Sequence, residues 1–498
     1  MRVDELKNKI LQLAIQGKLV PQDDNDIPAS VLLEEIKKEK EQLIKEKKIK
    51  REKPLPEITE EEKPFELPKG WEWCRCSELF NVRSAMRIHK TDWRDKGVPF
   101  LRGRELVQLS KYGKFDIEIC IDEELYEILK EKSGIPQKDD ILVSAVGTIG
   151  KVYIVKETDK FYYKDAYILC LENFSSMYSK YIKYMLESQE LQMQIKKDSM
   201  ATTVAQLTII KAKSLLMPLP PLEEQKRIAN KIDELFAIID ELAENKEAML
   251  KNISDTRNKV LQLAIQGKLV EQNSEDTPVS VLLEEIRKEK EQLIKEKKIK
   301  KEKPLPEITE EERLFELPKG WEWVRFSQVL DVRDGTHDTP KYVEKGVPLI
   351  TSKNINGKEI DFDNVKYISM QDHIEISKRS NVDNGDILFA MIGSIGNPVI
   401  VNKKEEFSIK NVALFKFYKK NCVNNKFLYY YLLLAQNDMK SNSKGAVQSF
   451  VSLKILREYI FPLPSVEEQL RIVQKVDKIM AYLDELEKTI LNDSIIWS

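Results

Sequence analysis

The segment KILQLAIQGKLV at residues 9–20 returns as KVLQLAIQGKLV at residues 259–270, 250 positions later. This repeat decides the architecture. Outward from it, residues 30–62 match residues 280–312 with only Lys37/Arg287 and Arg51/Lys301 differing. LPKGWEW follows at 67–73 and again at 317–323, and PLPPLEEQKRI at 218–228 pairs with PLPSVEEQLRI at 462–472. Between these landmarks the copies diverge, from about Cys76 to Leu215 and from about Phe326 to Tyr459. One patch survives: DDILVSAVGTIGK at 139–151 beside NGDILFAMIGSIGN at 384–397. Shared flanks mean shared scaffolding or a shared partner, and divergent blocks mean that two different things are recognised.

The end from Val466 matches the segment after Leu222, and the start matches the segment after Lys251. Joined head to tail, the two ends rebuild the central block, so the chain is a quasi-closed ring of two halves with an implied pseudo-two-fold axis. An apolar seam runs Ile228, Ile232, Leu235, Ile239, Leu242, Met249, Ile253, Val260, Leu263, at the alternating four–three spacing of a coiled coil. One helix of ~40 residues would be ~60 Å long. The terminal copies carry Val3, Leu6, Ile10, Leu13 and Ile472, Val476, Ile479, Leu483, Leu486, Ile490, which predicts antiparallel pairing of the central helix with both. Residues 30–53 and 280–303 predict a second, solvated helix before a Pro/Glu-rich linker.

The chain of 498 residues exceeds one core. The expected segments are 1–66 (shared helices and linker), 67–217 (first block), 218–316 (central shared region), 317–461 (second block) and 462–498 (shared helix). Each block reads as an α/β globule with short strands and one helix, near 178–197 and 425–440. The fold class is mixed α/β: two such domains separated by long antiparallel coiled-coil helices.

Charged residues make up 33%, yet the net charge is −2, so any basic surface is local. Residues 81–104 hold Arg83, Arg87, Lys90, Arg94, Lys96, Arg102 and Arg104, with His89 and Trp93, against Asp92 and Asp95. Arginine reads guanine bidentately and binds phosphate, so the stretch as a whole is a DNA-contact candidate. In the second block DGTHDTPKY at 334–342 forms a turn with exposed donors, Thr336, His337 and Lys341 among them, followed by Ser352, Lys353 and Asn354. His337 either contacts DNA or satisfies its own loop. GTIGK (147–151) and GSIGN (393–397), ending in Lys151 and Asn397, read as hairpin turns needing positive φ. The alternative is close approach of their N–H groups to phosphate.

Five cysteines, none in a CxxC pair, read as reduced buried thiols without a zinc site. No apolar run reaches the ~18–20 residues of a membrane span, and the start of the chain does not read as a signal peptide, so a cytoplasmic protein is expected. There is no GxGxxG, no HExxH, no Asn/Asp-Pro-Pro-aromatic motif, and only three histidines. No catalytic constellation emerges, and no cofactor or metal site.

QGKLV followed by SVLLEEI, the KIKREKPLP linker, ELPKGWEW, DGTHDTP and PLPPLEEQKRI, in this order and duplicated, resemble the specificity subunits of type I restriction–modification systems across essentially the whole chain. The resemblance implies two target-recognition domains, each reading one half of a bipartite double-stranded DNA site. It further implies helices docking two S-adenosylmethionine-dependent methyltransferase subunits, and ATP-dependent restriction subunits that cleave. The chain would then bind DNA and supply no chemistry. The first block reads RSAMRIHKTDW in place of DGTHDTP, so its contacts transfer less directly. Two other classes compete: a fused type II restriction–methylation protein, which would need a methyltransferase motif, and a coiled-coil scaffold without a DNA role.

Overall fold

The computed structural model describes residues 3–173, 177–197, 206–442 and 450–492. The chain divides into two compact units at Asn245/Lys246. That point lies inside a single helix, Leu222–Ile265, 44 residues without a break.

In the first unit, helix Val3–Ile15 runs antiparallel to the first half of the long helix. Lys7 pairs with Asp240 at 2.6 Å, while farther along the chain Gln22 reaches back to Glu224 at 2.7 Å. Ile10, Leu11, Ala14 and Ile15 are buried with Ile228, Ile232 and Ile239, much of the predicted seam. Leu242 and Met249 on that seam are exposed. The second unit repeats the pairing with the second half of the helix. Arg257 there meets Asp484 at 2.6 Å and Glu487 at 2.7 Å on helix Val466–Asn492. Residues 493–498 of the expected final helix lie outside the described residues.

The two strands that bracket each block pair with each other: Glu72–Arg75 with Leu216–Leu219, and Glu322–Arg325 with Ile460–Leu463, both antiparallel. Each block is thus pinned at its base. Inside the first lies an antiparallel sheet in the order Asn81–Ser84, Ile168–Glu172, Ile141–Ser144, Val152–Ile154. A second sheet holds Cys120–Ile121, Val98–Leu101 and Tyr162–Tyr163, the last two parallel. Ile141–Ser144 is buried throughout, which explains a continuous apolar run instead of alternation. The second block follows the same order with Leu330–Asp334, Val412–Phe417, Ile387–Ala390 and Gly396–Ile400. Its other sheet gains an extra strand, Tyr342–Val343.

Three expectations need correcting. The second helix stops at Lys45 and Lys295, not near residues 53 and 303. Lys47 and Lys297 take the left-handed conformation, and N–H groups there fold back onto Ile44 and Leu43, and onto Ile294 and Leu293, a cap that ends a helix despite continuing helix formers. The helix expected at 178–197 is two, Ser179–Glu187 and Gln189–Lys196, because Ser188 is extended and its hydroxyl accepts from Leu191 N–H. The blocks also hold more than one helix each: Gly103–Tyr112, Glu123–Ser133 and Met370–Ser380 among them. Their apolar faces are short; Glu123–Ser133 buries only Tyr126 and Leu129. The five cysteines are all buried, with burial pushing the Cys76 thiol up to about 12. No helix among the described residues is long and apolar enough to cross a membrane.

Candidate nucleic-acid interface

In the first unit the basic stretch leaves strand Asn81–Ser84 as a loop. A short turn at Lys90–Asp92 is closed by the Asp92 carboxylate accepting from the His89 N–H at 3.0 Å. Trp93 is half-buried against Phe100, with the Lys90 ammonium 5.9 Å from its ring. This anchors the loop and leaves Arg87, His89, Lys90 and Lys96 exposed. Arg87 and Lys96 have no side-chain partner among the described residues. Arg94 is engaged: it donates to the carbonyls of Thr91 and Trp93 and pairs with Asp122 at 2.8 Å.

Arg83 has a different place. It bonds Glu172 and donates to the Ser133 carbonyl at 3.1 Å, closing the C-terminal end of helix Glu123–Ser133. Arg333, its counterpart, donates to the Arg379 carbonyl at 3.0 Å near the end of helix Met370–Ser380. Both arginines hold a helix to a sheet. Arg102 and Arg104 share Glu105 and Glu118. Glu105 is buried, which pushes its pKa up, yet Arg102 and Arg104 and two backbone N–H groups bring it below the usual carboxylate range.

In the second unit two loops converge on Asn411. His337 Nδ1 lies 3.2 Å from its side-chain oxygen, and Ser352 donates to its carbonyl at 3.3 Å. Thr336 N–H donates to the Ile409 carbonyl at 3.0 Å. His337 Nε2 also sits 2.8 Å from the buried carboxylate of Asp334, which holds Arg379 as well. The imidazole is therefore fixed by its own loop while remaining 54% exposed. The side chains of Lys341 and Lys353 are without partners among the described residues, and both residues are exposed. Asn354 is buried and shapes its turn, accepting from Thr351 N–H at 3.0 Å.

Both glycine turns have the expected geometry: φ is +78° at Gly147 and Gly150, +75° at Gly393 and +107° at Gly396. Lys151 is exposed, and the Asn397 N–H donates to Gln436 at 2.9 Å.

Sequence reading missed one pair. Lys164 and Lys410 follow the short parallel strands Tyr162–Tyr163 and Ser408–Ile409, and their N–H groups donate to the equivalent carbonyls of Leu101 and Ile350, at 2.8 and 2.9 Å. The signal was F-x-x-K at 161–164 and 407–410, too short to notice without the strand pairing.

Compared with known proteins, residues 68–252 and 318–493 each match the family model described as the type I restriction modification DNA specificity domain. The chain belongs to this family. The specificity subunit is 30% identical to the Escherichia coli type I restriction enzyme EcoAI specificity subunit, over 97% of this chain and 90% of that one. The EcoEI specificity subunit of the same species is 28% identical over the same shares. Its fold is that of the HsdS subunit from Thermoanaerobacter tengcongensis, with a TM-score of 0.52 at 17% identity, covering 86% of this chain and 97% of that one. A chain of a type I R-M system solved for its complex assembly and conformational transition gives 0.56 at 17% identity, covering 86% and 95%. The specificity subunit is thus a duplicated DNA target-recognition protein, and its two family matches fall one in each block with the flank that follows it.

Proposed function

We propose that this specificity subunit reads a two-part DNA sequence, one part per unit, and supplies no chemistry itself. One observation carries the reading: the scaffold is reproduced contact by contact in the two halves, while the exposed loops it carries differ. Trp71–Glu224 and Trp321–Glu468, Arg227–Asp26 and Arg471–Asp276, and Arg75–Glu62 and Arg325–Glu312 are matched pairs. One such scaffold carries Arg87, His89 and Lys90, with Lys151 and Arg104 on neighbouring segments. The other carries Thr336, His337 and Lys341, with Ser352, Lys353 and Asn397. Different donor sets on one frame fit two different base sequences. Arg83 and Asn354 support these loops from within, and Arg94 and Arg102 hold theirs through ion pairs.

In this reading blocks 67–217 and 317–461 are the target-recognition domains. The near-identical flanks serve two copies of one partner, a methyltransferase subunit that uses S-adenosylmethionine; ATP-dependent restriction subunits join that assembly, in the cytoplasm. Methylome sequencing of cells with and without the gene tests the proposal. A split methylated motif that vanishes with the gene supports it. An unchanged methylome would favour a scaffold without a DNA role.

A further inference from the structure

The two blocks diverge almost everywhere, yet both keep the turn G-[T/S]-I-G at 147–150 and 393–396. If the blocks read different bases, a feature common to both cannot be reading bases. It answers either to the fold or to the part of DNA that never changes, the phosphate backbone. The fold accounts for part of this turn. Gly147 and Gly393 need positive φ, and Ile149 and Ile395 are buried. It does not account for the tip. Thr148 and Ser394 are exposed, and neither their N–H nor their hydroxyl has a partner among the described residues. A Cβ on Gly147 or Gly393 would meet nothing within 4 Å.

Behind each tip stands one glutamine. Gln192, on helix Gln189–Lys196, donates to the Gly150 carbonyl and to the Leu186 carbonyl, both at 2.8 Å. Gln436, on helix Asn425–Asn442, accepts from Asn397 N–H at 2.9 Å and donates to the Leu433 carbonyl at 2.9 Å. A Cβ at Gly150 would lie 2.8 Å from the Gln192 oxygen, and one at Gly396 2.2 Å from that of Gln436, so these glycines are the space the glutamines fill. The same helical regions are tied to the long scaffold helices by Tyr184–Asp233 and Tyr430–Asp477. The turn is therefore tied to the scaffold through these helices.

We propose that the turns 147–150 and 393–396 are sequence-independent contacts to the DNA phosphate backbone, with Gln192 and Gln436 as their positioning residues. The inference rests on the reading that each unit binds DNA. The free N–H and hydroxyl of one residue at the tip of a glycine turn suit a phosphate oxygen, and such contacts fix register without carrying sequence information. The first turn ends in Lys151 and the second in Asn397, so only the first adds a neutralising charge.

The test uses the full chain in its native complex, with binding to cognate and to random duplexes measured over a salt series. Gln192→Ala and Gln436→Ala should each weaken both duplexes by the same factor, about tenfold for one lost charge-assisted contact, and leave the methylated motif unchanged. Lys151→Ala, an exposed change that spares the fold, should lower the log–log salt slope by about 0.9. Asn397→Ala should weaken binding with the slope intact. A changed base preference in any of these variants would make the turn a base reader and overturn the inference. Unaltered binding by all four would overturn it as well. Neither result touches the bipartite reading, which stands or falls on the methylome of the gene deletion.

Discussion

The indole N–H of Trp71 donates to the buried carboxylate of Glu224 at 2.9 Å, joining the strand that opens the first block to the start of the long helix. Trp321 and Glu468 repeat the bond at 2.8 Å. Gln22 and Gln272 complete each carboxylate from the segment after the preceding helix. The first W of GWEW and the second E of EEQ, present in both halves and well over a hundred positions apart, are therefore the two sides of one joint.

Replacing Trp71 by Phe leaves the Glu224 carboxylate buried and short of a donor. We expect a loss of about 1–3 kcal/mol, read as a lower thermal or denaturant midpoint of the full chain. The same change at Trp321 should cost a similar amount. A loss well below this would mean that water replaces the indole.

Burial raises the pKa of Glu224 above the ordinary carboxylate value, against the pull of Trp71 and Gln22. A raised folded-state pKa means that the folded chain holds this proton more tightly than the unfolded one. The associated stability is present below the ordinary value and is lost as pH rises through the raised one. Glu224→Gln should remove that part of the pH dependence. The difference in stability between wild type and variant, measured from about pH 4 to 7, should shift in favour of Gln as pH rises; a flat difference would sink the assignment.

Arg83 and Arg87 sit four positions apart and should separate cleanly. Arg83→Ala breaks the Glu172 pair and the link to the Ser133 carbonyl; it should cost about 2 kcal/mol of stability. Arg87→Ala should leave the unfolding midpoint unchanged and reduce DNA binding. Within the basic loop, Arg87, Lys90 and Lys96 should each lower the salt slope by about 0.9 when removed. Arg94, already paired with Asp122, should lower it less.

Exchanging residues 76–215 for the corresponding block of a relative should swap one half of the methylated sequence and keep the other. The cut points flank the strand pair Glu72–Arg75 and Leu216–Leu219, so the base of the block survives the exchange. A folded hybrid that methylates the original full site would show that the blocks are not the readers.

By itself the sequence determined the duplication, the long helices and their antiparallel partners, the glycine turns and the family. These follow from periodicity and repetition, which local physics enforces along the chain: a seam must recur to stay on one face, and a left-handed turn favours glycine. What it left undecided was which cations are free. Arg83 and Arg87 are alike in the sequence; only the pairing of Asn81–Ser84 with Ile168–Glu172 turns the first onto Glu172 and leaves the second outside. Lys164 and Lys410 became equivalent only through strand register, and Gln192 and Gln436 found their turns only once a helix some 40 positions away packed behind them. An ion pair or hydrogen bond across such separations depends on the complete packing of both partners, and no local pattern encodes it.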